Sequence, residues 1–152
     1  MPRGTRQLPG ECLRRLGEAE LILHGGDVVG RAVLDALREL APVEAVAGNM
    51  DDAELMTMLP VRRVVEVAGA RIGMVHVPGP AAGRAERLVE SFPGCDAVVY
   101  GHTHVPEVTR VGETWVLNPG SPTERRSAPT RSMLMLEIES GEIRPEFVPL
   151  SS

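Results

Sequence analysis

Short apolar runs that stop abruptly at glycine organise this chain. Leu21-Ile22-Leu23-His24 runs into Gly25-Gly26-Asp27, Val43 to Ala47 into Gly48-Asn49-Met50-Asp51, and Ala97-Val98-Val99-Tyr100 into Gly101-His102-Thr103-His104. Brief apolar runs bounded by turn residues read as buried strands that empty into loops. Between them, Arg31 to Leu40 places Val33, Leu34, Leu37 and Leu40 at helical spacing, and Pro42 stops it. Further helices are expected from Glu11 to Glu18 after Pro9-Gly10, from Asp52 to Leu59 capped by Asp51 or Asp52, and from Gly83 to Ser91. The second half changes character. Arg63–Val67 with Arg71–His76, Glu107–Val111 with Thr114–Leu117, and Met133–Glu139 with Ile143–Val148 flank Gly69-Ala70, Gly112-Glu113 and Gly141, which predicts three hairpins. Strand–helix alternation followed by hairpins predicts an α/β sandwich, two stacked sheets with helices outside. No linker or repeat interrupts residues 1–152, so a single domain is expected.

Composition narrows the class. Hydrophobic residues are 43% and charged residues 24% of 152, a globular balance, while 3% aromatics force an aliphatic core. All sixteen basic residues are Arg and none is Lys, which in company with abundant Ala, Gly, Pro and Val reads as the codon bias of a GC-rich genome. The net charge of -5 argues against a sequence-independent grip on a nucleic acid polymer. No run approaches the ~18–20 apolar residues of a membrane span, and no apolar leader follows Met1. Cys12 and Cys95 lack paired spacing and point to a reducing, cytoplasmic setting.

The polar residues at the strand ends carry the chemistry. Asp27, Asn49, His76, His102 and His104 each directly or closely follow an apolar run, and three of the four histidines in the chain are among them. Ligands collect beyond the carboxyl ends of strands in α/β sheets, and glycine lets the backbone turn there. One Asp, one Asn and three His form a mixed O/N donor set suited to Mn, Fe, Zn or Ni. His102 and His104 would share a face in a strand; in a turn they could reach adjacent ions.

In order along the chain, Gly26-Asp27, Gly48-Asn49-x-Asp51, His76, Gly101-His102-Thr103-His104 and Asn118-Pro119-Gly120-Ser121 resemble the calcineurin-like metallophosphoesterase superfamily, in its small bacterial and archaeal phosphodiesterase branch, which includes the retromer-subunit relatives. The resemblance implies a four-layer αββα sandwich of two mixed sheets flanked by helices, and two divalent transition ions, Mn foremost. By position, Asp27 would bridge the ions, Asn49, His76 and His102 would complete one shell, and His104 would belong to the other ion. Asp27, Asn49 and His102 would carry catalysis, with a hydroxide held between the ions attacking a small phosphate diester. His24 would be structural, and Asn118 and Ser121 would support the site. Arg3, Arg6 and Arg125, with Arg126, fall on loops near the site where a guanidinium could grip phosphate, although solvated surface is their commoner role. Arg84 and the Pro78-Gly79-Pro80 loop would border the substrate.

The chain also departs from that pattern. The family opens with an apolar strand ending in Asp-x-His, and both residues ligate the second ion; Met1-Pro2-Arg3-Gly4 matches the stretch directly after that motif. The N-terminal strand is therefore missing from this sequence, for which a start codon called one strand late is the favoured explanation. Its absence would leave one poor metal shell and two bare strand edges that favour association with a second copy. Met50 stands where many relatives have a histidine that protonates the leaving group, which favours diesters with good leaving groups over alkyl monoesters. A catalytically impaired binding or scaffold module on the same fold is the competing expectation.

Overall fold

A computed structural model describes residues 9–26, 31–48, 53–122 and 130–150. Five strands form the central mixed sheet: β3 (Arg62–Val67), β4 (Ala70–Val75), β5 (Ala97–Tyr100), β6 (Glu107–Val111) and β7 (Thr114–Asn118), in spatial order β3-β4-β5-β7-β6. The pairs β4–β5 and β5–β7 are parallel, and the hairpins β3–β4 and β6–β7 close the two sides. Over this sheet lie two smaller ladders: a parallel pair of β1 (Ile22–His24) and β2 (Val43–Ala45), and the hairpin β8 (Arg131–Glu139) with β9 (Glu142–Leu150).

Alternation along each strand decides what lies between the layers. Ile72, Met74, Ala97, Val99 and Leu117 project from one face of the five-stranded sheet into a core shared with Leu23, Val46, Leu134, Leu136 and Ile143 of the upper ladders. The opposite face offers Val98, Tyr100 and Val116 to Leu88 of the helix α4 (Arg84–Ser91) and to Phe92, its C-cap. Gly73 has no side chain because Phe92 lies there; a Cβ would meet its ring at 2.4 Å. Outside the upper ladders, the helix α1 (Gly10–Glu18) packs Cys12 and Leu16 against Met133 and Val148, and the helix α2 (Arg31–Leu40) packs Leu37 against Ile22. A short helix α3 (Ala53–Met58) leads into Leu59, buried beside Leu34. Helices, ladders, sheet and helix make the expected αββα layering.

Hairpin turns fall where the glycines predicted them, with Gly69, Gly112 and Gly141 all at positive φ. Among the described residues, β1 bonds only to β2 and β8 only to β9, so the upper layer is divided. The outward edge of β9 is blunted: Pro145 and Pro149 lie opposite Leu136 and Ser132, where the ladder needs no amide from them. Gly17 sits on the exposed side of α1, and a Cβ added there would meet nothing within 4 Å. Gly17→Ala is therefore expected to raise stability by about 0.4–1 kcal/mol, by restricting the unfolded chain, as read by urea denaturation.

Candidate metal centre

The carboxyl ends of β1, β4 and β5 meet at one place. β4 ends at Val75 and delivers His76; its parallel neighbour β5 ends at Tyr100 and delivers Gly101 and His102. Gly101 N–H donates to His76 O at 3.2 Å, which keeps the two strands in step past their ends. β1 arrives from the other layer, and its Gly25 approaches Gly101 so closely that a Cβ on Gly101 would lie 2.7 Å from Gly25 O. Gly101 thus lets backbones of different layers touch where a side chain on it would hold them apart.

His76 is 3% exposed, and its Nδ1 lies 2.6 Å from Gly25 O. A carbonyl oxygen only accepts, so Nδ1 carries a ring hydrogen, which in the neutral ring puts the lone pair on Nε2. That is the arrangement by which proteins orient a histidine for a metal, the far nitrogen tied to a backbone carbonyl. The His102 ring stands edge-on to it, ring centres 5.3 Å apart and planes at 86°. Two imidazoles bound to one ion at ~2.0–2.1 Å and near-tetrahedral angle would have centres roughly 5 Å apart, so the pair fits a transition ion.

His102 and His104 are both in the left-handed region, at φ 70° and 60°. The segment is a turn and not a strand continuation, so the two rings do not share a strand face. Non-glycine residues held at positive φ cost energy and occur where surrounding structure over-determines them. Asn118, fully buried at the end of β7, supplies that determination. Its Nδ2 donates to Gly101 O at 3.3 Å and to Thr103 Oγ1 at 3.0 Å, while its Oδ1 accepts from Gly120 N–H at 2.8 Å. Thr103 Oγ1 accepts in turn from Val105 N–H at 3.2 Å. Ser132 then ties β8 to the same loop through Pro119 O at 2.8 Å and Ser121 O at 3.0 Å.

His24, His76, His102 and His104 line one cavity of about 140 Å³, together with Gly120 and Ser121 on one side and Leu23 and Met133 on another. Cys12 is also on the wall, but burial pushes its thiol up to about 11, so it stands there as a neutral packing group and not as a thiolate ligand. The structure therefore brings together His76, His102 and His104 of the predicted set. Asp27, Asn49, Arg3, Arg6, Arg125 and Arg126, and also Met50 and Asp51, lie outside the described residues. Among the described residues no group of three or more His, Cys, Asp or Glu is gathered closely enough to hold an ion.

Arg84 does not line the cavity. Its Nη2 donates to Gly79 O at 2.9 Å and its guanidinium lies 5.8 Å over the Tyr100 ring, so it braces the 78–83 loop from outside. Arg87 does the same through Pro78 O, Pro80 O and Ala82 O. Sequence reasoning missed Arg87 and Ser132. A serine between Arg131 and the apolar run Met133–Leu136 is the signal the sequence offers for the latter.

Comparison with known proteins gives the family and the fold. Residues 4–141 match the calcineurin-like phosphoesterase superfamily domain. A probable metallophosphoesterase of Methanocaldococcus jannaschii is 35% identical over 147 residues, 95% of this chain and 73% of that protein. Another, from Methanothermobacter thermautotrophicus, is 32% identical over 150 residues, 97% of this chain and 86% of its own length. Wild-type Vps29 from Entamoeba histolytica, complexed with Zn²⁺, superposes with a TM-score of 0.77 at 27% identity over 98% of this chain and 93% of that one.

Proposed function

The chain belongs to the calcineurin-like phosphoesterase superfamily, and from that premise we propose that it is a metal-dependent phosphodiesterase acting on small phosphate diesters. The observation that carries the reading is His76: its Nδ1–H is committed to Gly25 O, the tie by which a histidine is oriented for an ion, and the His102 ring stands perpendicular beside it. Two divalent ions, manganese foremost, would supply Lewis acidity at the phosphoryl oxygens and a water acidic enough to attack at neutral pH. His76, His102 and Asn49 would hold one ion, His104 the other, and Asp27 both. The turn braced by Asn118 keeps His102 and His104 presented without rearrangement, so little reorganisation is needed when substrate arrives. The apolar side chains on the cavity wall, Leu23 and Met133 among them, would lie beside a bound phosphate and limit water there.

Met50 follows Asn49 and has no proton to give a leaving group. Loss of a general acid costs about 10²–10⁴-fold for a poor leaving group and little for a good one. With added Mn²⁺, bis(p-nitrophenyl) phosphate should be hydrolysed, whereas an alkyl phosphate monoester should be turned over at least about 10²-fold more slowly. Equal rates on the two would remove the diester assignment. No hydrolysis of either with Mn²⁺, Fe²⁺, Zn²⁺ or Ni²⁺ would favour a binding module on this fold. Both cysteines are free and buried, which suits work in a reducing compartment such as the cytoplasm.

A further inference from the structure

One peptide group at the centre is held from both sides by imidazoles. The Gly25–Gly26 peptide accepts at its carbonyl from His76 Nδ1 at 2.6 Å, and its N–H donates to His24 Nδ1 at 3.1 Å. The carbonyl cannot donate and the amide cannot accept, so the orientation of this single peptide plane dictates both rings. His76 must carry its hydrogen on Nδ1, and His24 must keep a lone pair there.

That orientation is not self-enforcing. A peptide between two glycines is the least hindered kind to turn over, because no Cβ on either side opposes the rotation. Bulk cannot be added at Gly26, which has φ 105° and where a Cβ would lie 2.4 Å from His76 Nδ1. Turned over, the peptide would present its N–H to His76. The ring would answer with a lone pair on Nδ1 and a hydrogen on Nε2, which withdraws the nitrogen offered to the ion. On the Gly26 side the lock cannot be a side chain, and His24 is the group that takes the amide there. Its Nδ1 accepts from the amide two residues ahead, the contact an Asn or Asp side chain makes in an Asx turn. Hydrogen bonds in such a chain also polarise one another, so the lock strengthens the His76–Gly25 bond that it aligns.

We propose that His24 is a positioning residue of the metal centre, acting through the Gly25–Gly26 peptide to fix which ring nitrogen His76 presents. The proposal rests on the reading of His76 as a metal ligand. Three variants test it: His24→Ala, His24→Phe, which keeps a ring but no acceptor, and His24→Asn, whose Oδ1 can accept the same amide. Zn²⁺ affinity is measured by competition with a chromophoric chelator. The His76 tautomer is read in the metal-free protein from its ¹⁵N ring shifts at a pH where the ring is neutral. His24→Ala and His24→Phe should weaken Zn²⁺ roughly 10–100-fold and mix the His76 tautomers. His24→Asn should restore most of the affinity and a single Nδ1–H form. The proposal is overturned if His24→Phe binds Zn²⁺ like the wild type with His76 unchanged, if His24→Asn is as weak as His24→Phe, or if wild-type His76 already carries its hydrogen on Nε2. A wild type that binds no Zn²⁺ would sink the metal reading alone, and the tautomer of His76 in the variants would still decide the role of His24.

Discussion

His102→Ala is expected to lower phosphodiester hydrolysis by about 10²–10⁴-fold, since loss of one ligand removes several kcal/mol of charge stabilisation at the phosphoryl group. The fold should survive. The turn that carries His102 is held by Asn118 through Gly101 O and Thr103 Oγ1, and the His102 ring is no part of that bracing. The thermal midpoint should therefore change little while kcat falls, and excess Mn²⁺ should recover part of the loss if affinity is the cause. A variant within tenfold of the wild type at saturating metal would mean that His102 is not in the reacting shell.

Gly26→Ala is expected to damage both stability and metal binding. At φ 105° an alanine costs about 1–3 kcal/mol in backbone strain alone. Its Cβ would also be built 2.4 Å from His76 Nδ1 and 2.6 Å from Cγ, so the ring must leave the position from which it bonds Gly25 O. Urea denaturation should show a lower midpoint with an unchanged slope, and Zn²⁺ affinity should drop by more than the roughly tenfold typical of losing one supporting contact. His24→Phe keeps Gly26 intact, so the comparison separates collision with His76 from loss of the amide's acceptor. An alanine variant with native stability would show that the Gly26 turn accommodates a side chain by moving away from His76.

Much of the fold was legible because local chemistry and global packing agree. The runs read at 21–24, 71–76 and 97–100 are strands at 22–24, 70–75 and 97–100, and the glycines at 69, 112 and 141 sit at the hairpin turns that only a residue tolerant of positive φ makes cheaply. The placement of His76 and His102 just past two strand ends was legible too, and because β4 and β5 are parallel neighbours those ends lie at one edge. The geometry within that edge was not. Nothing in Gly-His-Thr-His announces that both histidines adopt left-handed backbone, since that is imposed from β7 by Asn118, distant in sequence. Arg84 is expected from the sequence to border the substrate with the Pro78-Gly79-Pro80 loop, and its guanidinium is instead held by Gly79 O and the Tyr100 ring. The clamp on the Gly25–Gly26 peptide was invisible because it joins β1 of one layer to β4 of another, 51 residues apart. Side-chain-to-backbone bonds of that range leave no periodic trace in a sequence.

The central claim is that separate strand ends converge to hold transition ions. Its most direct test is Mn²⁺ content at equilibrium dialysis, measured by elemental analysis on wild type and on the His76→Ala/His102→Ala double variant, with folding of both verified by circular dichroism. The wild type should retain manganese and the folded double variant should retain essentially none. Equal manganese in both, or none in a folded wild type, would contradict the account.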